Sequence, residues 1–260
     1  MQQKNFTVSL LLISLFCYSQ NNTIAAGEKF TYTASYNMSG LLTDLAQVTM
    51  ETRQVKTSKS TFLRLKLKAR TYSKWDNFFK INDLYESYVN PNSLKPYLYK
   101  REINEGGYYK FMQYNFNYKT NSIKSLKRKR RKDGTFWDVN KNINFSSNTR
   151  DLVTTLYHIR NLSLAKVTIG KTEVIKVFFD NKETEVKITL LAIETITTKL
   201  GKKECYKLSI SLNNNDLLKG TNTNLLWLTA DANKIPVFAK FKVAVGSGEL
   251  KIQSATGLKH

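Results

Sequence analysis

Cysteine, histidine and proline are scarce in this chain of 260 residues, which contains two, two and three of them. One cysteine, Cys17, lies in the apolar N-terminal segment, and removal of that segment would leave Cys205 without a disulfide partner. The two histidines, His158 and His260, belong to no cluster with the spacing of metal ligands. Stability must therefore come from a buried core, for which 41% hydrophobic and 12% aromatic residues are sufficient.

Long apolar runs are also missing. A membrane-spanning helix needs about 20 apolar residues, and the N-terminal run from Val8 to Phe16 is roughly half that length. The run follows a single early lysine and precedes small residues at the positions three and one before a cut after Ser19, which is typical of a secretory signal peptide. We predict that residues 1–19 are a signal peptide, that residues 20–260 form a single β-rich domain, and that the protein is exported.

Negative charge is in short supply, because the formal net charge is +21. The run Lys127–Lys132, with six consecutive basic residues, supplies less than a third of this excess. Positive charge is therefore spread along the chain. Such a field favours anionic partners and solubility, but it does not specify a fold.

The sequence is rich in strand-type periodicity, in which β-branched and aromatic residues alternate with polar ones. The segment YYKFMQYNFNYK alternates with one slip, which predicts a bulge. Turn signals such as Asp133-Gly134 and Gly201-Lys202 recur at hairpin spacing. The pattern predicts a mainly β fold, a single antiparallel meander curled into a barrel or half-barrel, because a long open sheet would leave exposed edges.

One segment, SSNTRDLVTTLYHIRNL, departs from this periodicity and has apolar residues near helical spacing. Residues 146–148 are cap-forming, and Asp151 falls in the predicted first turn. We therefore predict one substantial helix over about residues 148–161, with its apolar stripe packed on the sheet.

Motifs of the common enzyme classes are absent from the sequence. Ser247, between two glycines in AVGSGEL, lacks the spacing of a nucleophile elbow, and the glycines indicate a bulge or a close backbone approach. No phosphate-binding loop or dinucleotide fingerprint is present, and we expect no cofactor and no metal. Cys205, in the alternating segment KKECYKL, is predicted to be a core residue.

Five segments carry a resemblance to a known family: GEKFTYTASYNMSG, DLYESYVNPNSLKPYLYKREINEGGYYKFMQYNF, DLVTTLYHIRNL, LWLTADANKIPVFAKFKVAVGSGEL and GLKH. In order and spacing they are similar to an exported bacterial family known as domain of unknown function 3108, over nearly all of the chain after the signal. The resemblance implies a β-rich envelope protein of a Gram-negative, often Bacteroidetes-like, bacterium. The expected location is therefore the periplasm, with secretion or outer-membrane association as alternatives. The resemblance implies no established activity.

Carboxylates provide the enzymatic alternative, since hydrolysis of a glycan needs only two of them at a defined separation. The sequence interleaves these carboxylates with basic residues, so ion pairing across the sheet explains them equally well, and a turn aspartate can bond to its own backbone. The alternative is a carboxylate-dependent hydrolase of envelope glycan or lipid. Its candidate residues lie in the segments that carry the resemblance: Glu86, Glu102, Glu105 and Asp231.

The basic run is predicted to form one arm of a hairpin, because the Asp-Gly pair that follows it is a two-residue turn signal. In that register Arg130 faces Trp137, and Lys129 faces Asp138. Alternation puts three charges on each face of the strand, so the ribbon must project from the sheet or form its edge. The candidate residues of a polyanion-binding hairpin are Lys127, Arg128, Lys129, Arg130, Arg131, Lys132 and Trp137.

Export decides which polyanions the run can meet. Lipid, lipopolysaccharide and acidic glycan are within reach of an envelope protein, with peripheral contact to a membrane surface, whereas nucleic acid is not an expected partner. Solvated protection of a sheet edge is the other interpretation. The run is not a fixed motif of the family that the chain resembles, which makes it a property of this member.

The aromatic residues also leave two interpretations, since 14 Tyr, 14 Phe and 3 Trp either fill a core or line a cavity. A curled sheet of an exported protein can hold an amphipathic molecule against its concave face. Our leading hypothesis is a non-enzymatic exported protein that binds an amphipathic or anionic envelope component, or supports envelope assembly.

Overall fold

The structure is a computed structural model that describes residues 20–37, 40–212, 224–242 and 246–260. The predicted signal peptide lies outside the described residues. The described part of the chain contains fourteen strands and one α-helix. The strands are β1 (Lys29–Asn37), β2 (Leu42–Lys56), β3 (Thr61–Thr71), β4 (Asn82–Val89), β5 (Pro96–Glu105), β6 (Tyr108–Asn117), β7 (Ser122–Arg130), β8 (Phe136–Asn144), β9 (Thr172–Phe179), β10 (Lys182–Thr198), β11 (Gly201–Leu212), β12 (Leu225–Thr229), β13 (Pro236–Lys242) and β14 (Ser247–Thr256).

These strands form one sheet in the order β8-β7-β6-β5-β4-β3-β2-β1-β14-β13-β12-β11-β10-β9. Consecutive strands pair antiparallel, except that β8 and β9 do not pair, and β1 pairs with β14, which brings the two ends of the described chain together. The edges of the sheet are therefore β8 and β9, and the sheet is not closed. The predicted mainly β fold, a single antiparallel meander with one substantial helix, is confirmed.

The sheet curls until the turn between β9 and β10 rests on the inner face of β5–β7. Asp180 in this turn accepts hydrogen bonds from Arg101 and Lys110. The backbone N–H of Asn181 donates to the hydroxyl of Tyr114 at 3.2 Å. A short parallel bridge from the chain before the helix covers part of the β9 edge. The exposed edge that a long open sheet would present is thereby reduced.

The helix, α1 (Leu152–Ile159), is shorter than the predicted span of residues 148–161. Asp151 is its N-cap, and the carboxylate accepts a hydrogen bond from the backbone N–H of Thr154 at 2.8 Å. This cap fixes the start of the helix at the next residue, because the capping residue itself is extended. None of the helices in the described ranges has the length and hydropathy needed to cross a bilayer.

A buried ion pair joins the residue that follows α1 to the residue that precedes β1. Arg160 directly follows the helix, and its guanidinium donates to both carboxylate oxygens of Glu28, at 2.5 and 2.8 Å. Both side chains are almost wholly buried, and the guanidinium also lies over the ring of Phe30, with its central carbon 5.0 Å from the ring centroid. The helix is therefore held at a fixed position on the sheet.

Two hydrophobic clusters of different composition make up the core. The first centres on the inner face of β1–β7 and is rich in large aromatic residues, among them Phe30, Tyr32, Tyr99, Tyr114, Phe116, Phe145 and Phe178. Cys205 is fully buried in the same cluster, which confirms its predicted core position. The second lies on β9–β12, at the last residue of α1 and in the segment after it, and is mostly aliphatic: Ile159, Leu164, Ile175, Val177, Val186, Ile188, Leu190, Tyr206, Leu208, Leu226 and Leu228.

The bulge predicted in β6 is wrong, because β6 pairs with β5 and β7 without a register shift. The interruption in its aromatic pattern arises because both faces carry apolar side chains. Met112, Tyr114 and Phe116 are buried on the inner face, whereas Tyr109 and Phe111 lie on the outer face. An aromatic residue therefore does not mark the core-facing side of this strand.

Candidate functional site

A cavity of about 520 Å³ lies between α1 and the inner face of β9–β13. This volume falls within the range of about 300–1,000 Å³ that is usual for small-molecule sites. The few polar side chains at its wall include Thr155 and Lys240. Most of the lining is aliphatic, with Leu152, Leu156 and Ile159 from the helix and Val177, Val186, Ile210, Leu212, Leu225 and Leu226 from the strands.

Three aromatic side chains complete the lining of this cavity. Tyr85 and Phe179 stand where the inner faces of β4 and β9 approach each other, and Phe241 comes from β13. Phe241 pairs with Gly248 of β14, and a Cβ at that glycine would lie 2.4 Å from the phenylalanine ring. The close backbone approach predicted for the glycines of AVGSGEL is confirmed at Gly246, where a Cβ would lie 2.2 Å from the carbonyl oxygen of Asn37, whereas Gly248 leaves room for the Phe241 ring.

Asn224 is a buried amide at the cavity wall, with a relative exposure of 3%. Its Oδ1 accepts a hydrogen bond from the backbone N–H of Lys242 at 3.0 Å, which defines the orientation of the amide. The Nδ2 group has no hydrogen-bond acceptor in the described part of the chain. The wall thus holds one donor group that the described residues leave without an acceptor.

A charged cluster lies behind Phe179, between that ring and the inner face of β5–β6. The guanidinium of Arg101 stacks over Phe179, 4.4 Å from the ring centroid, and pairs with Asp180. Burial lowers the pKa of Lys110, and the positive charges of Arg101 and Lys127 lower it further against the opposing effect of Asp180. For Asp180, burial is outweighed by Lys110 and Arg101, which hold its pKa below the ordinary range.

Next to this cluster lie two neighbouring carboxyls whose pKa values are both raised. Glu105 and Asp83 face the same side of the sheet, and Asp83 also accepts the backbone N–H of Asn104 at 2.9 Å. Burial, reinforced by the neighbouring Asp83, raises the pKa of Glu105 to about 7. Burial likewise raises the pKa of Asp83. Asp83 lies close enough to Glu105 to raise its pKa, so the two carboxyls do not stand apart across a cleft as the paired carboxylates of a glycosidase do.

The four carboxylates of the enzymatic alternative are not assembled into one site. Glu86 and Glu102 are diagonal neighbours on the outer face of β4 and β5, where Glu86 is 3.7 Å from Arg64. Glu105 faces inward with a different partner. Asp231 lies in the turn between β12 and β13 and accepts two backbone N–H groups, as its predicted turn role requires. Alternation along β5 explains the separation, because residues 102 and 105 fall on opposite faces.

The structure places the basic run on β7 and in the β7–β8 turn, in the hairpin at the β8 edge of the sheet. The predicted register is wrong by one residue, because the turn spans residues 131–135 rather than Asp133-Gly134 alone. Arg131 and Thr135 close this longer turn through a backbone hydrogen bond of 2.7 Å. A side-chain bond from Thr135 to Asp133 stabilises it, which a dipeptide signal does not reveal.

The corrected register changes both cross-strand pairs. Arg128, rather than Lys129, pairs with Asp138, through two hydrogen bonds of 2.7 Å. Lys129, rather than Arg130, lies over the ring of Trp137, 6.0 Å from its centroid. Lys127 and Lys129 therefore face inward with Lys110, whereas the charges at the tip of the run are exposed: Arg130, Arg131 and Lys132.

Comparisons with known proteins identify a family and a fold. A family model described as a protein of unknown function (DUF3108) matches residues 31–253. No curated protein matches the chain. The crystal structure of a beta-barrel-like protein of domain of unknown function DUF1849 from Brucella abortus has a TM-score of 0.52 and 9% identity, covering 88% of this chain and 97% of that chain. Its likeness concerns the fold alone.

A Bacteroides fragilis protein with a YmcC-like fold, described as a candidate for export, has a TM-score of 0.34 and 8% identity. The match covers 90% of this chain and 97% of that chain. A TM-score this low supports no structural argument.

Proposed function

The chain belongs to the DUF3108 family of proteins of unknown function, and we propose that it is an exported, non-enzymatic binding protein whose cavity holds the hydrocarbon part of an amphipathic envelope molecule. The observation that carries this proposal is the aliphatic cavity of about 520 Å³ between α1 and β9–β13. A hydrocarbon chain would gain roughly 0.8 kcal/mol for each methylene that it buries there. The envelope supplies such chains as the acyl groups of its lipids.

The polar atoms around the cavity suit the other end of such a molecule. Asn224 offers an amide donor at the wall, and Tyr85 brings a hydroxyl group close to the charged cluster of Arg101 and Asp180. An apolar pocket with a small number of polar groups is the usual form of a binding site that orients its ligand. We propose that the ligand is a lipid, or an amphipathic molecule with an acyl chain.

Export to the periplasm forms part of the same proposal. It rests on the N-terminal pattern of one lysine, an apolar run and a small-residue cut site. The basic hairpin of β7 and β8 would then face lipid phosphates, lipopolysaccharide or acidic glycans rather than nucleic acid.

A fluorescent fatty acid tests the cavity directly. Delipidated protein is titrated with cis-parinaric acid, and we expect saturable binding to the unmodified chain. In Ala239→Trp an indole occupies the cavity from β13, because Ala239 lines it. We expect that variant to bind at least about tenfold more weakly, a loss of about 1.4 kcal/mol.

The matched control is Lys242→Trp, which adds the same side chain at an exposed position of the same strand. It is expected to bind the probe as the unmodified protein does. Equal binding by the Ala239→Trp variant, or no saturable binding by any variant, would overturn the proposal, provided that circular dichroism shows the variants to be folded.

A further inference from the structure

Four turns of the meander lie at the same end of the sheet, because alternate turns of an antiparallel meander do. They connect β1 to β2, β3 to β4, β5 to β6 and β7 to β8. We call this end the turn rim and define it as residues 40–42, 72–81, 105–108 and 130–136. The same end of the sheet carries part of the cavity lining. The lining residues at strand ends there are Phe179, Leu212, Leu225 and Phe241.

The turn rim is unusually apolar for a surface. Ten large hydrophobic residues are exposed in the described part of the chain, and six of them lie here. The most exposed is Phe78, at 80%. A concentration of exposed apolar side chains on one side of a protein marks an interaction surface, whereas scattered single residues do not. The six are Leu41, Leu42, Phe78, Phe79, Tyr108 and Phe136.

Hydrogen bonds hold neighbouring turns together. The indole N–H of Trp75 donates to the carbonyl of Asp44 at 2.8 Å, which joins the β3–β4 turn to the start of β2. The N–H of Gly106 donates to the carbonyl of Lys80 at 2.9 Å. Arg130 donates to the carbonyl of Gly107 at 2.7 Å, which adds the β7–β8 hairpin. The turns that carry the exposed apolar side chains are therefore held together by hydrogen bonds.

Cations are interleaved with the apolar side chains of the rim. Two carboxylates of the same turns, Asp76 and Asp133, accept hydrogen bonds from Thr71 and Thr135 at 2.9 and 2.7 Å, and burial raises the pKa of the third, Glu105. Five exposed cations have no carboxylate partner in the described chain: Lys74, Lys80, Arg130, Arg131 and Lys132. The tip of the basic run therefore belongs to a mixed apolar and cationic surface.

We propose that the turn rim is a peripheral docking surface for an anionic phospholipid bilayer. Apolar and aromatic side chains enter the boundary between headgroups and acyl chains, while lysine and arginine contact lipid phosphates. An acidic glycan or a nucleic acid would match the cations but not the aliphatic tips such as Leu41, which is 73% exposed. The proposal goes beyond the cavity, and its test does not require the cavity to be occupied.

Sedimentation with vesicles tests this docking surface. Vesicles of phosphatidylcholine mixed with phosphatidylglycerol are expected to retain the full chain, and vesicles of phosphatidylcholine alone to retain much less. In Arg131→Ser with Lys132→Ser, the partition coefficient should fall about fivefold for each cation removed at low salt. In Phe78→Ser it should fall by about tenfold, because a buried phenylalanine ring is lost from the interface.

Matched controls lie at the other end of the sheet. Ile169→Ser removes a side chain that is 59% exposed there, and Lys199→Ser with Lys202→Ser removes two exposed cations, one in the β10–β11 turn and one at the start of β11. Both controls should bind vesicles as the unmodified chain does. The inference is overturned if the rim variants match these controls, or if the unmodified chain binds a soluble acidic glycan but neither kind of vesicle. The cavity proposal would survive either outcome, because it is measured with a soluble fatty acid.

Discussion

The inner faces of the two halves of the sheet, β1–β7 and β9–β13, are packed differently. On β1–β7 large aromatic side chains interlock, and Tyr99 and Tyr114 stack with their centroids 5.3 Å apart. Phe178, near the end of β9, packs edge-on against Tyr114 with the ring centroids 4.9 Å apart and covers the aromatic side chains of that half. On β9–β13 the inner side chains are shorter, α1 has only eight residues, and a cavity remains between them.

This difference decides between the two interpretations of the aromatic residues, which either fill a core or line a cavity. The aromatic residues of the chain mostly fill its core, and the cavity is lined chiefly by aliphatic residues. An apolar cavity costs stability, since its lining atoms lack contact partners. Retention of such a space, beside a half that is packed, is consistent with a site for a hydrocarbon ligand.

The largest expected effect comes from the ion pair that fixes α1 above the cavity. Arg160→Ala leaves the carboxylate of Glu28 buried without its partner, and we expect a loss of about 3–5 kcal/mol in the free energy of unfolding. Urea unfolding followed by tryptophan fluorescence measures it. The double variant Arg160→Met, Glu28→Leu removes both charges and should recover most of the loss. An Arg160→Ala protein as stable as the unmodified chain would show that the pair does not hold the helix.

A pair of alanines tests the contrast between the two halves. Ala46 is 3% exposed on the inner face of β2, and Ala239 lines the cavity. Ala46→Leu forces extra methylenes into a packed region and should cost about 1–3 kcal/mol of unfolding free energy. Ala239→Leu places the same atoms in the cavity and should be neutral or stabilising. Equal costs at both positions would contradict the contrast.

The smallest expected effect concerns the carboxyl pair on the packed half. The folded pKa of Glu105 is about 7, above its ordinary value of 4.5, so the folded protein binds more protons between these values. The contribution of Glu105 to stability is therefore present below about pH 4.5 and is lost as the pH rises through about 7. Glu105→Gln should be more stable than the unmodified chain at pH 8, and this advantage should shrink towards pH 5.

Urea midpoints for the two proteins, measured at both pH values, provide the test. The comparison with the variant is necessary because His158 acts in the opposite direction. Burial and Arg150 lower its pKa to about 3, so its contribution increases as the pH rises towards the ordinary value of histidine. A difference between the two proteins that does not change with pH would show that Glu105 is not protonated near neutrality.

Local patterns in the sequence predict the strands, the turns and the single helix, because each depends on neighbouring residues. Alternation identifies the strands, and Asp151 caps the helix that its segment predicts. Partners across the sheet do not follow from local patterns. The Asp83–Glu105 pair requires the register of β4 against β5, and the Arg160–Glu28 pair joins positions 132 residues apart.

The candidate site is harder to predict than the fold for the same reason. Its lining comes from α1, from Tyr85 of β4 and from strands β9–β13, so no single segment reveals it. The basic run is evident in the sequence, but its turn is longer than the Asp-Gly pair predicts. The observed register therefore differs from the predicted one by one residue, and Arg128 and Lys129 have other partners than those predicted. The sequence signal that points to the cavity is the change from aromatic strands before α1 to aliphatic strands after it.

Methyl-resolved NMR during a fatty-acid titration measures where a hydrocarbon chain binds. We expect saturable shifts for methyl groups of the cavity, such as those of Leu156, Val186 and Ile210. The methyl groups of Leu65 and Ile123, which are fully buried in the aromatic half, should not shift. Shifts centred on Leu65 and Ile123, or no saturable shift at Leu156, Val186 and Ile210, would contradict the assignment of the aliphatic cavity as the binding site.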